Sequence, residues 1–222
     1  MTRKVWCLSL VSGLLLAFTG GPAMGIEEAT YEVVRTDGAI EIRDVAAYRV
    51  AEVTVEGAAT EAGNRGFRPL FRYISGANRK QAKIAMTAPV TQAPAGEKIA
   101  MTAPVMQMPD QDTENPRWVV GFVMPASYTL ETLPVPKDNA IRIREIPARR
   151  VAAIRYSGIW SDARYAQHLK QLETWLKSQS LSAVSPPVWA RYNSPFTPWF
   201  MRRNEIWIEI EPPDTPTPVD AH

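Results

Sequence analysis

The chain has 222 residues, 45% hydrophobic and 22% charged, the make-up of an ordinary globular protein. Its 25 Lys+Arg against 23 Asp+Glu give a formal net charge of +2, which lacks the cationic excess that nucleic-acid binding requires. One cysteine, Cys7, excludes an intrachain disulfide framework.

The N-terminus reads as a leader. Arg3 and Lys4 precede an apolar run over residues 5–18, and Ala23-Met24-Gly25 supplies small residues for cleavage. The run is shorter than the ~20 residues a spanning helix needs. The expectation is a secretory signal peptide over residues 1–25 and an exported, periplasmic location in a two-membrane host. Cleavage would also remove Cys7, Arg3 and Lys4, leaving a thiol-free chain with balanced charge and no integral membrane span.

Residues 40–57, IEIRDVAAYRVAEVTVEG, return as IRIREIPARRVAAIRYSG at 141–158, with eight of eighteen positions identical. Alternating Ile40/Ile42 and Ile141/Ile143 with charges between them predict strands. Each copy bends at its centre, at Ala46-Ala47 and Pro147-Ala148. After the first copy, Phe67, Leu70, Phe71 and Ile74 space an apolar helical stripe containing Pro69, with Gly76 as its C-terminal stop.

The octapeptide KIAMTAPV follows at 83–90 and again at 98–105, around turn residues Pro94 and Gly96. It predicts two strands that place Met86 and Met101 equivalently. The unbroken WVVGFVM at 118–124 predicts a strand buried on both faces. After the second long copy, Ser161 or Asp162 caps a helix whose stripe is Tyr165, Leu169, Leu172 and Leu176. Strands follow at 188–192 and 205–210. The last has Glu205, Trp207 and Glu209 on one side and Ile206, Ile208 and Ile210 on the other. The Pro-rich tail, 212–222, has little to bury.

The expected fold is α+β. Two pseudo-equivalent halves, about 31–124 and 125–211, join antiparallel or mixed sheets into one barrel-like domain (26–211) flanked by two main helices. A cleft along the pseudo-twofold is the expected ligand site.

The stretches GFRPLFRYISGANRKQAKIAMTAPV (66–90), RYSG (155–158) and YNSPFTPWFMRRNEIW (192–207) resemble the SOUL haem-binding protein family. The resemblance implies a distorted barrel with two helices and binding of haem or a related tetrapyrrole without catalysis. Some members carry a haem-ligand His directly after the strand's E-x-R. Here Asp44 follows Arg43, and a carboxylate is a poor substitute for imidazole on haem iron. The effector-binding domains of bacterial multidrug regulators look similar in fold, and use a buried Glu against cationic ligands. That makes an amphipathic or cationic small molecule the alternative ligand.

The candidate binding residues are Phe67, Leu70, Phe71 and Ile74 as a cleft wall and Met86 and Met101 as soft lining. Arg68 and Arg72 are candidate propionate partners, and Glu205 is the buried acid. Met86, Met101 and Met124 equally suit core filling. Arg202 or Arg203 would satisfy a buried Glu205. His168, beside the second helix stripe, is the weak candidate for haem iron, and His222 lies in the tail. No nucleophile–base pair, metal-spaced His pair or phosphate loop is present, so no catalytic residue is expected.

Overall fold

A computed structural model describes residues 27–80, 96–110, 117–193 and 196–211. The leader, the first KIAMTAPV copy with Met86, and the tail lie outside the described residues. β1 (Glu27–Glu28) leads into β2 (Tyr31–Asp37), β3 (Ile40–Val45) and β4 (Tyr48–Glu56). Helix α1 (Ala59–Ile74) precedes β5 (Asn78–Arg79), β6 (Thr102–Ala103), β7 (Val105–Pro109) and β8 (Arg117–Val123). β9 (Val135–Pro136), β10 (Arg142–Ile146) and β11 (Arg149–Tyr156) lead to α2 (Asp162–Ser178). β12 (Val188–Arg191), a 3-10 turn at Trp199–Met201 and β13 (Asn204–Glu209) follow.

Nine strands form one strongly curled antiparallel sheet in the order β10-β4-β8-β7-β12-β13-β11-β3-β2. The repeated segments pair across the two halves. β10 lies on β4 and β11 on β3, with Ile143 opposite Ala51 and Ile42 opposite Ala152. Adding 101 to Ile42 and Ala51 gives the partners Ile143 and Ala152, so the two ladders share one register. This pairing explains several of the repeated residues. Arg150 meets Asp44 at 2.6 Å, and Arg49 meets Glu145 at 3.5 Å in the equivalent place. Gly57 and Gly158 both sit at positive φ, +112° and +120°, where each strand turns toward its helix. An arginine of the following helix, Arg65 or Arg164, then donates to the carbonyl just before the glycine.

The helices cover the convex face. Leu70, Tyr73 and Ile74 of α1 pack with Val53, Val120 and Phe122 of β4 and β8. Leu172 and Leu176 of α2 pack with Ile154, Ile206 and Ile208 of β11 and β13. Ser161 Oγ caps α2 by accepting from the Arg164 N–H at 3.3 Å. α1 continues through Pro69 and ends at Gly76 (φ +112°), where the Ala77 N–H reaches back to the Arg72 carbonyl at 2.9 Å.

The second KIAMTAPV copy departs from the expected strand. Residues 98–101 form no ladder, and Met101 is exposed. Their backbone is claimed elsewhere. The Ile99 N–H donates to the Ile74 carbonyl at the end of α1 (2.8 Å). Asn78 clamps Glu97 with two 2.8 Å bonds, accepting its N–H and donating to its carbonyl.

Candidate ligand-binding site

A helix-free core fills the concave face of the sheet: Val45, Tyr48, Val50, Met106, Ile146, Val151, Val188 and Trp207 among others. The two halves of this face differ. On the second-half side, Glu205 is fully buried and accepts from four side chains. Arg43 approaches with two nitrogens (2.7 and 3.2 Å), and Arg203 Nε (2.8 Å), Tyr192 Oη (2.9 Å) and Trp207 Nε1 (2.7 Å) complete the set. Arg43, itself 1% exposed, also donates to Glu41 and lies over Tyr31, 4.4 Å from the ring centroid. Burial raises the Glu205 carboxyl pKa. The hydrogen bonds and charge of Arg43, the charge of Arg203 and the Trp207 N–H outweigh that and hold it below its ordinary value. Glu205 is therefore a buried anion whose lone pairs are occupied.

The first-half side lacks that plug. By strand register, Val119 (opposite Thr54) takes the place that Glu205 (opposite Arg155) has in the second half. Gly121, opposite Glu52, takes that of Trp207, opposite Ala153. A carboxylate and an indole are thus replaced by an isopropyl group and a hydrogen. The result is a narrow apolar crevice of about 10 Å³, lined by Val50, Met106, Met108, Val119, Gly121 and Ile146 among others. Beside it, sharing Glu52 and Val119, lies a mostly polar cavity of about 330 Å³ lined also by Asp110, Arg117 and Arg142. Arg144, the repeat counterpart of Arg43, turns instead to Glu52 at 2.8 Å. Tyr48 Oη closes the inner end, donating to Met106 Sδ (3.4 Å) and accepting from Arg149 Nη2 (2.8 Å). Burial raises the Tyr48 hydroxyl pKa despite Arg149, so the phenol stays neutral.

The expected site residues divide between the faces. Leu70 and Ile74 lie buried in the convex core, and Phe67 stacks on Phe71 (5.6 Å) with its edge toward Phe122 (5.2 Å). Phe71, Arg68, Arg72 and Met101 are exposed. None of these lines the concave slot. His168 packs on Tyr156 under α2, ring centroids 4.1 Å apart, also on the convex side. Burial lowers its pKa, and its Nδ1 has no partner among the described residues. Glu205 is where its alternation placed it, and Arg203 is indeed a partner. Arg43, Tyr192 and Gly121 were not among the sequence candidates. Gly121 could have been found by aligning Trp118–Val123 with the last strand, because the repeat fixes that register. Among the described residues no cluster of His, Cys, Asp and Glu could hold a metal ion.

Residues 26–209 match the family described as SOUL heme-binding protein. The chain belongs to the SOUL family. Among curated relatives of this SOUL chain, Heme-binding protein 1 of Xenopus laevis is 28% identical over 148 residues, covering 67% of this chain and 70% of the relative. Heme-binding protein 1 of Mus musculus is 26% identical over 186 residues, covering 83% and 86%. Among solved structures, the EcmrR C-terminal domain superposes with a TM-score of 0.55 at 11% identity, over 82% of this chain and 98% of that one. A hydrolase from Listeria innocua gives 0.52 at 11% identity, over 80% and 94%. At such identities these two likenesses speak to the fold alone.

Proposed function

We propose that this SOUL protein binds haem or a related tetrapyrrole without transforming it, as a carrier, buffer or sensor, in the first-half slot of the concave face. Family membership over residues 26–209 supports the ligand class. The observation that carries the site is the Gly121/Val119 opening opposite the Glu205/Trp207 plug. The crevice itself holds about 10 Å³ and the adjoining cavity about 330 Å³, the lower end of the ~300–1,000 Å³ range of small-molecule sites, so the ring would sit mainly in the outer cavity, partly exposed. The crevice suits the edge of such a group chemically. Two methionines and three branched side chains offer soft contact to a flat ring. Arg142 at the mouth is exposed and has no ion pair among the described residues, which suits a propionate.

When bound, haem would supply an iron centre whose ligation tunes its redox and gas-binding chemistry. The chain offers it a weak donor set. Met106 sulfur already accepts from Tyr48, and the raised Tyr48 pKa opposes tyrosinate. Packing and charge would hold the ring more than an axial bond. The cationic-ligand alternative needs a free carboxylate, and Glu205 has none to give.

Export to the periplasm is part of this reading and rests on the leader-like residues 1–25. Duplication of an ancestral half accounts for the shared register of the two ladders. Titration of the full chain with haem, followed in the Soret band, tests the binding. A saturable shift at micromolar haem, weakened at least about tenfold by Gly121→Trp, is expected. A saturable shift untouched by that variant would move the site elsewhere, and no shift would end the reading.

A further inference from the structure

Strand β12 ends on a cation that the fold does not neutralise. Val188 and Ala190 enter the concave core, so Trp189 and Arg191 face the helices. Trp189 packs on Tyr165 of α2 with 4.5 Å between ring centroids. Arg191 is 7% exposed and lies over the rings of both Trp189 and Trp160, 4.3 and 4.9 Å from their centroids.

Those rings engage its π system, not its donors. Nε and Nη2 are buried and make no hydrogen bond, and the guanidinium forms no ion pair among the described residues. Nε and Nη2 form an edge able to grip a carboxylate or a phosphate with two parallel bonds. Burial lowers the Arg191 pKa to about 10, although the Tyr156 and Asp162 side chains favour the charged form. The group is therefore still a cation at neutral pH. A buried charge without a partner is costly, and unpaired buried polar atoms call for a reason.

The neighbouring helix is shaped around this group. Gly63 lies buried in the interior of α1, where glycine weakens a helix. A Cβ there would collide with Arg191 Nη1 and stand 3.1 Å from Gln107 Oε1. Gln107 donates Nε2 to the Ala59 carbonyl at 2.7 Å, and its buried Oε1 is unpaired. One glycine thus borders a guanidinium and an amide oxygen, neither satisfied within the chain.

We propose that the Nε/Nη2 edge of Arg191 binds a small oxyanion, a carboxylate or a phosphate, on the helix side of the sheet. Trp160, half-buried in the β11–α2 connection, covers the guanidinium and swings aside to admit the anion. The inference is independent of haem binding, because the crevice lies on the opposite face of the sheet.

Tryptophan fluorescence of the full chain tests it, since two indoles touch the guanidinium. At constant ionic strength, acetate or phosphate in place of chloride should change the emission saturably. The anion that half-saturates at the lower concentration names the class. Arg191→Lys keeps the charge and loses the fork, so it should raise that concentration at least about tenfold. Gly63→Ala should also raise it, by displacing the guanidinium. Arg191→Met removes the unpaired charge, so it should lose the emission change and in chloride should melt no lower than wild type. No saturable change with either oxyanion, or one that survives Arg191→Met, would overturn the proposal. So would a melting temperature of Arg191→Met more than about 5 °C below wild type in chloride, because it would reveal a partner for the guanidinium within the chain.

Discussion

Glu205→Gln removes one buried charge while keeping the shape of the side chain. The amide can still accept from Tyr192 and Trp207, so the loss falls on the arginines. Arg43 is 1% exposed and would keep only Glu41 and its ring contacts with Tyr31 and Trp207. Arg203 would keep Glu28. Removing one member of a buried ion pair costs about 3–5 kcal/mol, and the surviving partners place this case near 3. At about 2–4 °C per kcal/mol for a domain of this size, the melting temperature should fall by roughly 6–12 °C. Urea unfolding at neutral pH measures it. The pH dependence supplies a sign. The folded Glu205 pKa is lowered, so its contribution is complete above the ordinary carboxylate value and is lost as pH falls through the lower folded value. The gap between wild type and variant should therefore close on acidification. A loss below about 1 kcal/mol, or a gap that widens in acid, would refute the reading of Glu205 as a charged hub.

Replacing both partners, Arg43→Met with Glu205→Leu, should cost less than Glu205→Gln alone, because no unpaired charge stays buried; a double-mutant cycle checks this. On α1, Leu70→Ala should cost about 2–5 kcal/mol and Phe71→Ala about 1 kcal/mol or less, both read by denaturant midpoint. Neither should alter haem affinity, since both sides of that helix lie away from the concave slot. Asp44→Asn should cost no more than about 1 kcal/mol, for the Asp44 side chain is 46% exposed. The hydrogen bonds from Arg150 lower the Asp44 pKa, so that small contribution also disappears as pH falls below the usual carboxylate range.

The architecture was legible because the repeat encodes contacts between the halves. Arg49/Arg150 and Asp44/Glu145 keep their chemistry since each pairs with its opposite number across the two ladders. Local signals also held, with bends at Ala46-Ala47 and Pro147-Ala148, the Ser161 cap and the Gly76 stop. The site was less legible. A helical stripe reports that Leu70 and Ile74 are buried but not which face of the sheet they cover. Arg43 lies 162 positions from Glu205, and nothing local marks the pair. Of the strand expected at 98–105, residues 98–101 were lost to Asn78 and the end of α1, partners that alternation along the segment does not reveal. Gly121 carries its meaning only by comparison with Trp207, through a register that the sequence contains and simple periodicity does not expose.

The concave face is asymmetric: Glu205 and Trp207 fill one side, and Gly121 leaves a narrow apolar crevice on the other. Haem titration of wild type beside Gly121→Trp, with melting temperature measured on both, tests it most directly. A Cβ at Gly121 meets nothing closer than 3.7 Å, so the backbone there accepts a side chain. The wild type should show a saturable Soret shift and the variant at least about tenfold weaker binding, with melting temperatures within a few degrees of each other. Equal affinity in two equally folded proteins would contradict it.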